Sequence, residues 1–238
     1  KTPDQNLELV RRLERICRIG RPVLVGLSRK STMARVTGDA NGRVGSAAAQ
    51  ALLDQGQPVT IVTRSAAQAE SWERRGAGAA VADVHDVERL RAVFRRGRRA
   101  LLLNPPADVS TDTDIEERET VRCILAALDG SGLEKVVAES TYGARPGERV
   151  GDLTVLYELE QGLKAQPIPA TIQRASYYMS NWASSLAAVR GNGILPSMLP
   201  AGLRIPMVAP EDLGKTAARW LTEPAERTFE EAQTDLEQ

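Results

Sequence analysis

The chain is expected to fold as an α/β protein on a doubly wound parallel sheet, with a small C-terminal lobe and an extra helix–strand piece at its N-terminus. Three observations predict this. The stretch Val36-Thr37-Gly38-Asp39-Ala40-Asn41-Gly42-Arg43-Val44-Gly45-Ser46 runs from apolar residues through spaced glycines into an Ala-rich helical segment. Beyond it, short apolar runs alternate with amphipathic segments of helical period, the pattern of βαβ units with right-handed crossovers. The notable polar residues fall at the carboxyl ends of the apolar runs, where open parallel sheets hold their ligands.

Composition narrows the class. The 238 residues are 42% hydrophobic and 26% charged, ordinary for a globular chain with a sizeable core. Lys+Arg and Asp+Glu both number 31, so the formal charge is zero and nothing argues for nucleic acid as a partner. Arg95-Arg96-Gly97-Arg98-Arg99 is the one basic cluster, expected as a solvated turn before a strand. Cys17 and Cys123 sit in apolar helical patterns and are expected as buried free thiols of a reducing cytosol. The single histidine, His85, excludes His-rich metal centres, and no metal site is expected. No apolar run approaches the roughly 20 residues of a membrane span, and no signal-peptide pattern opens the chain. A cytoplasmic location without membrane association is the expectation.

The elements follow in order. Thr2-Pro3-Asp4-Gln5 reads as a capped helix start, and Leu7, Val10, Leu13, Ile16 and Cys17 continue at helical spacing. Val23–Leu27 is a strand candidate, followed by the polar turn Ser28–Ser31. A strand from about Met33 to Thr37 opens the glycine loop, and a helix spans Arg43–Gln55. Strand Val59–Thr63 ends at Arg64; a helix near Ala66–Arg75 leads to strand Ala79–Ala82, ending in Asp83. A helix near Val87–Phe94 precedes strand Ala100–Leu103, which Asn104-Pro105-Pro106 terminates because proline cannot donate to a ladder. Asp112, Asp114, Glu116 and Glu117 crowd the first turn of a helix running to about Leu128, where negative charge suits the dipole. Val136–Ala138 begins a fifth strand with Ser140-Thr141-Tyr142-Gly143 at its end. A helix near Asp152–Lys164, a strand near Ala170–Gln173 and a helix near Tyr177–Val189 complete the regular part, and Glu230–Gln238 reads as an acidic tail.

In the loop, Gly38 suits a tight turn, Gly42 a close approach of backbone to a pyrophosphate, and Gly45 close packing of helix on strand. The helix N-terminus beyond offers free N–H groups to an anion. By topology, Gly38–Val44, Arg64, Asp83, Asn104–Pro106 and Ser140–Tyr142 converge on one edge of the sheet.

From about Met33 to Pro224 the sequence resembles the NmrA-like NAD(P)-binding proteins, atypical relatives of the short-chain dehydrogenases. The glycine loop, Val59–Arg64, Val81-Ala82-Asp83-Val84, Leu102-Leu103-Asn104-Pro105-Pro106, Ser140-Thr141-Tyr142-Gly143, Tyr177-Tyr178-Met179-Ser180-Asn181-Trp182 and Met207–Asp212 carry it. The resemblance implies a Rossmann-like domain over 33–190 and a substrate lobe over 191–238, shorter than the family's. It implies that Gly38, Ala40, Asn41, Gly42, Arg43, Val44, Arg64, Asp83, Val84, Asn104, Pro105, Ser140, Thr141 and Tyr142 hold the dinucleotide. Tyr177, Tyr178 and Asn181 would line the substrate cleft. A guanidinium at the end of the second strand suits the 2′-phosphate, so Arg64 favours NADP over NAD. Asp83 has a second reading, as N-cap of the helix after it.

Two departures stand out. Three residues separate Gly38 from Gly42 where the family has two, which lengthens the cradle and brings the Asp39 carboxylate towards a pyrophosphate. Arg35 falls in a strand expected to be buried on both faces. In addition, residues 1–31, above all Pro22 to Ser31, resemble a helix–strand segment of dihydropteroate synthase, whose Ser-Arg-Lys turn would carry pterin binding onto Arg29 and Lys30. The piece is read as a fused fragment.

Related dehydrogenases pair a Tyr with a Lys four residues on. Of the candidates here, Tyr157 is followed by Gln161 and Tyr142 by Pro146. The expected function is an NADPH-dependent oxidoreductase acting on a quinone-like or small carbonyl acceptor. The alternative is a non-catalytic NAD(P) redox sensor that binds a regulatory protein; a pterin-related transferase is the third reading.

Overall fold

The computed structural model describes residues 34–37, 42–197, 199–200, 202–224 and 230–234. The expectations for residues 1–33, with Cys17, Arg29 and Lys30, and for Gly38, Ala40 and Asn41 fall outside them. Among the described residues, β1 (Ala34–Thr37) pairs in parallel with both β2 (Thr60–Thr63) and β4 (Arg99–Leu102). With β3 (Gly78–Val81), β5 (Lys135–Thr141), β6 (Ala170–Ala175) and β9 (Glu230–Thr234) the sheet runs in the order β3-β2-β1-β4-β5-β6-β9. The first six strands have the doubly wound, Rossmann-like order that the alternation predicted, with its reversal between β1 and β4. Every pairing is parallel.

Parallel strands covered on both faces read as continuous apolar runs. All four residues of β2 are buried, as are the first six of β5. Right-handed crossovers put α1 (Arg43–Asp54) and α2 (Ala66–Glu73) on one face. On the other lie α3 (Val87–Phe94), α4 (Thr113–Leu128) and α5 (Asp152–Lys164), packed in sequence. Trp72, Phe94, Leu52, Ile61, Leu101 and Ile124 are among the largest fully buried side chains of a single core.

A late helix, labelled α7 here (Pro210–Thr222), packs on α1 through small residues. A Cβ on Gly214 would meet the Val44 carbonyl oxygen and the Ala47 Cβ, both at 2.5 Å. The Arg99 guanidinium donates to the Glu223 carbonyl at 2.7 Å and to that of Leu221, tying the end of α7 to the start of β4.

Three expectations need correction. The helix near Tyr177–Val189 is instead a short strand β7 (Tyr177–Tyr178), a 3₁₀ helix (Met179–Ser185) and helix α6 (Leu186–Asn192). The reason is long-range: β7 pairs in parallel with β8 (Met207–Val208), about thirty residues on. The stretch from Glu230 is not only a tail, because Glu230–Thr234 forms β9 against β6. Asp83 is not the N-cap of α3; Asp86 is, its carboxylate accepting from the Arg89 N–H at 3.0 Å, while Asp83 accepts from His85 N–H at 2.9 Å.

The basic cluster is spent locally. Arg95 donates to the Gly130 carbonyl at 3.1 Å, and Arg98 pairs with Glu134 at 2.7 Å. Cys123 is a buried free thiol on α4. Among the described residues no helix is long and apolar enough to cross a membrane.

Candidate functional site

A cleft of about 600 Å³ opens at the carboxyl ends of β4, β5 and β6, beside the reversal of strand order. Its floor on the β4 side is Leu103 to Pro106, and on the β5 side Glu139, Ser140 and Thr141. The α1 N-terminus enters from one flank with Gly42, Arg43 and Val44. Tyr177, Tyr178, Ser180 and Asn181 close the far side, while Glu117 and Asp152 come from the helix starts of α4 and α5.

The α1 N-terminus is built for an anion. Its first turn has no acidic residue, and Gly42 at the N-cap position provides no side-chain cap. The first-turn N–H groups of a helix have no partners within it, and here they meet a cleft large enough for a ligand. A diphosphate fits that donor set.

The structure brings together Gly42, Arg43, Val44, Asn104, Pro105, Ser140, Thr141, Tyr177, Tyr178 and Asn181, ten residues singled out from sequence. Arg64, Asp83 and Val84 follow β2 and β3 on the same edge of the sheet but do not line the cleft. Tyr142 is 50% exposed in the turn after β5, and Tyr157 lies half-buried on α5; neither lines the cleft.

Three buried carboxyl groups, none of them expected as site residues, organise the region. Glu160 on α5 is fully buried and takes a two-pronged ion pair from Arg174, at 2.9 and 2.6 Å. The Ser140 hydroxyl donates to the same carboxylate at 2.5 Å, so its orientation is set from beneath the cleft. Glu117, expected among the charges crowding a first turn, is buried and accepts from the Ala107 N–H at 3.0 Å, fixing the loop after Pro105-Pro106. Burial raises its pKa, opposed by the Ala107 N–H and reinforced by the neighbouring Asp152 side chain.

Glu139 is 7% exposed; Oε1 accepts from the Tyr178 hydroxyl at 2.7 Å, and Oε2 is buried with no partner among the described residues. Burial pushes its carboxyl up to about 8, against the opposing pull of the Tyr178 hydrogen bond. Tyr178 in turn is raised well above the ordinary phenol value by burial first and by Glu139 second. A signal for Glu139 was present in the sequence: a lone acid directly after the run Val136-Val137-Ala138, in a strand buried on both faces. Among the described residues no group of His, Cys, Asp and Glu is arranged to hold a metal ion.

The family described as NAD(P)H-binding matches residues 40–175, more than half of the chain. No curated protein matches the sequence. The fold is similar to that of an NADPH-dependent quinone oxidoreductase from Escherichia coli, solved with NADPH, at 20% identity and a TM-score of 0.68, covering 84% of this chain and 68% of that one. A triphenylmethane reductase from Citrobacter sp., solved with NADP(H), is similar at 18% identity and a TM-score of 0.71 over 84% and 68% of the two chains. A UDP-glucose 4-epimerase from Thermotoga maritima, solved with UDP-glucose, gives 15% identity and 0.64 over 84% and 76%. At these identities the likeness is one of fold.

Proposed function

Because the chain belongs to the NAD(P)H-binding family, we propose that it is an NmrA-like NADPH-dependent oxidoreductase that reduces a quinone-like or small carbonyl acceptor. One observation carries the reading: the uncapped α1 N-terminus and the ends of β4, β5 and β6 border a single cleft. The N–H groups of Arg43 and Val44 would hold the diphosphate, and Arg64 at the end of β2 the 2′-phosphate. Asn104, Pro105, Ser140 and Thr141 would bound the nicotinamide. The reduced dinucleotide, when bound, supplies a hydride. Tyr177, Tyr178 and Asn181 would then face the acceptor and keep water from it. The fold shared with the Escherichia coli quinone oxidoreductase supports the acceptor class.

The test is a titration with NADPH and NADH read by protein fluorescence, since Trp182 follows Asn181 of the cleft wall. NADPH is expected to bind at least about tenfold more tightly than NADH, the worth of one charge-assisted contact to the 2′-phosphate. Arg64→Glu should abolish that preference. NADPH oxidation with a panel of quinones and aldehydes then reads turnover. A second reading, a non-catalytic redox sensor acting through a protein partner, is favoured by Gln161 standing where the Tyr–Lys pair would need its Lys. Tight NADPH binding without turnover on any acceptor would select it.

A further inference from the structure

Tyr178 and Glu139 are 39 residues apart in the chain and meet at the cleft wall through a 2.7 Å hydrogen bond. The carboxyl is asymmetric: Oε1 has the Tyr178 hydroxyl, and Oε2 has no partner among the described residues. Gln173 stands in register with Glu139 on β6, and its Nε2 donates to the Leu213 carbonyl at 3.1 Å, not to Glu139. The Gln173 Oε1 is itself buried without a partner among the described residues.

Among the described residues no cation acts on the group. The elements around it bring Tyr178 from β7 and Gln173 from β6; Arg43, Glu117 and Asp152 also line the cleft, and the Asp152 charge acts on Tyr178. What acts on the Glu139 carboxyl is burial, opposed only by the Tyr178 hydrogen bond. A buried carboxyl with one oxygen unsatisfied and no cation keeps its proton, and a protonated carboxyl is a hydrogen-bond donor.

We propose that Glu139 is the proton donor of the cleft, hydrogen-bonding the carbonyl oxygen of the acceptor and protonating it during reduction, with Tyr178 as the residue that positions it. The proposal rests on the reductase reading of the cleft. As the hydride reaches the acceptor's conjugated carbonyl system, the C=O π bond breaks and its electron pair goes to oxygen. The O–H bond of Glu139 breaks and a new O–H bond forms on the acceptor. The carboxylate left behind takes its proton back from solvent. The Tyr–Lys pair of related dehydrogenases is thereby replaced by a carboxyl from β5 and a phenol from β7.

The experiment measures binding of duroquinone, a carbonyl probe with every ring position blocked to thiols, to the full chain without dinucleotide, from about pH 6 to about pH 10. In the wild type the dissociation constant should rise about tenfold as one group titrates near pH 8, the loss of a single hydrogen bond. Glu139→Gln keeps the shape and a donor but cannot ionise, so its dissociation constant should stay flat. Tyr178→Phe removes the hydrogen bond that holds the titration down and should move it to higher pH. A purely structural tyrosine would leave the titration in place. The carbonyl stretch of a protonated carboxyl in the infrared spectrum below that pH, lost in Glu139→Gln, is the activity-independent check. The proposal is overturned by a wild-type constant that does not change with pH, by no quinone binding at any pH, or by pH dependence that survives in Glu139→Gln. Failure of NADPH to bind is a separate result and strikes the dinucleotide reading alone.

Discussion

Glu139 keeps its proton into a range where an exposed glutamate has lost it, and that has a consequence for stability independent of any ligand. Its value rises from the ordinary 4.5 to about 8 on folding, so between those values the folded state holds a proton that the unfolded chain has released. Stability from this group is complete below about pH 4.5 and is lost as pH rises through about 8, at up to roughly 1.4 kcal/mol per unit. Urea unfolding of the wild type against Glu139→Gln should show the variant gaining on the wild type by a few kcal/mol across that window. A constant gap would refute the assignment. The dyad itself was hard to see in the sequence. A search for Tyr and Lys four apart looks along one helix, whereas Tyr178 and Glu139 meet only because β7 returns over the end of β5. The phenol was named from the sequence as a cleft residue, whereas the acid that ends the apolar run was passed over. Glu160 and Arg174 follow the same rule, each ordinary in its own element and joined only by the stacking of α5 on β6.

Helices whose ends are set by local chemistry match their expected bounds. Val87–Phe94 starts after the Asp86 cap, and Asp152–Lys164 follows the glycine-bearing turn at Gly151. Elements whose existence depends on a distant partner do not match: Tyr177-Tyr178 needs Met207-Val208, and Glu230–Thr234 needs β6. The contact of α1 with α7 is of the same kind, legible only as scattered small residues. Here it fixes the anion-binding end of α1. Gly214→Ala should force the two helices apart and destabilise by about 1–3 kcal/mol, less the roughly 1 kcal/mol that alanine gains in a helix. Gly191 on α6 is the control, because a Cβ there meets nothing within 4 Å, and Gly191→Ala should be neutral or mildly stabilising. Denaturation midpoints that fall equally in the two variants would remove the packing argument. Weakened NADPH binding in Gly214→Ala alone would tie the contact to the cleft.

For the whole molecule, alternation of short strands with helices was enough to foresee six parallel strands in a doubly wound sheet, since crossover handedness leaves few alternatives. The seventh strand escaped because Glu230-Glu231 reads as solvated acid. A ligand seated across the strand ends should stabilise the fold as a unit. At one hundred times its dissociation constant, NADPH adds about 2.7 kcal/mol, which for a chain of this size is a rise in Tm of about 5–10 °C. NADH at equal concentration should give less, and equal shifts would argue against Arg64 as the discriminating group. The two flanks of the cleft are not alike mechanically. Helix α7 is fastened at both ends, by Gln173 at the Leu213 carbonyl and by Arg99 at the carbonyls of Leu221 and Glu223. The 3₁₀ helix and α6 opposite contribute no buried residue. One jaw is therefore stiff and the other compliant, so the range of molecular sizes admitted is governed by how far residues 179–192 can be pushed outward.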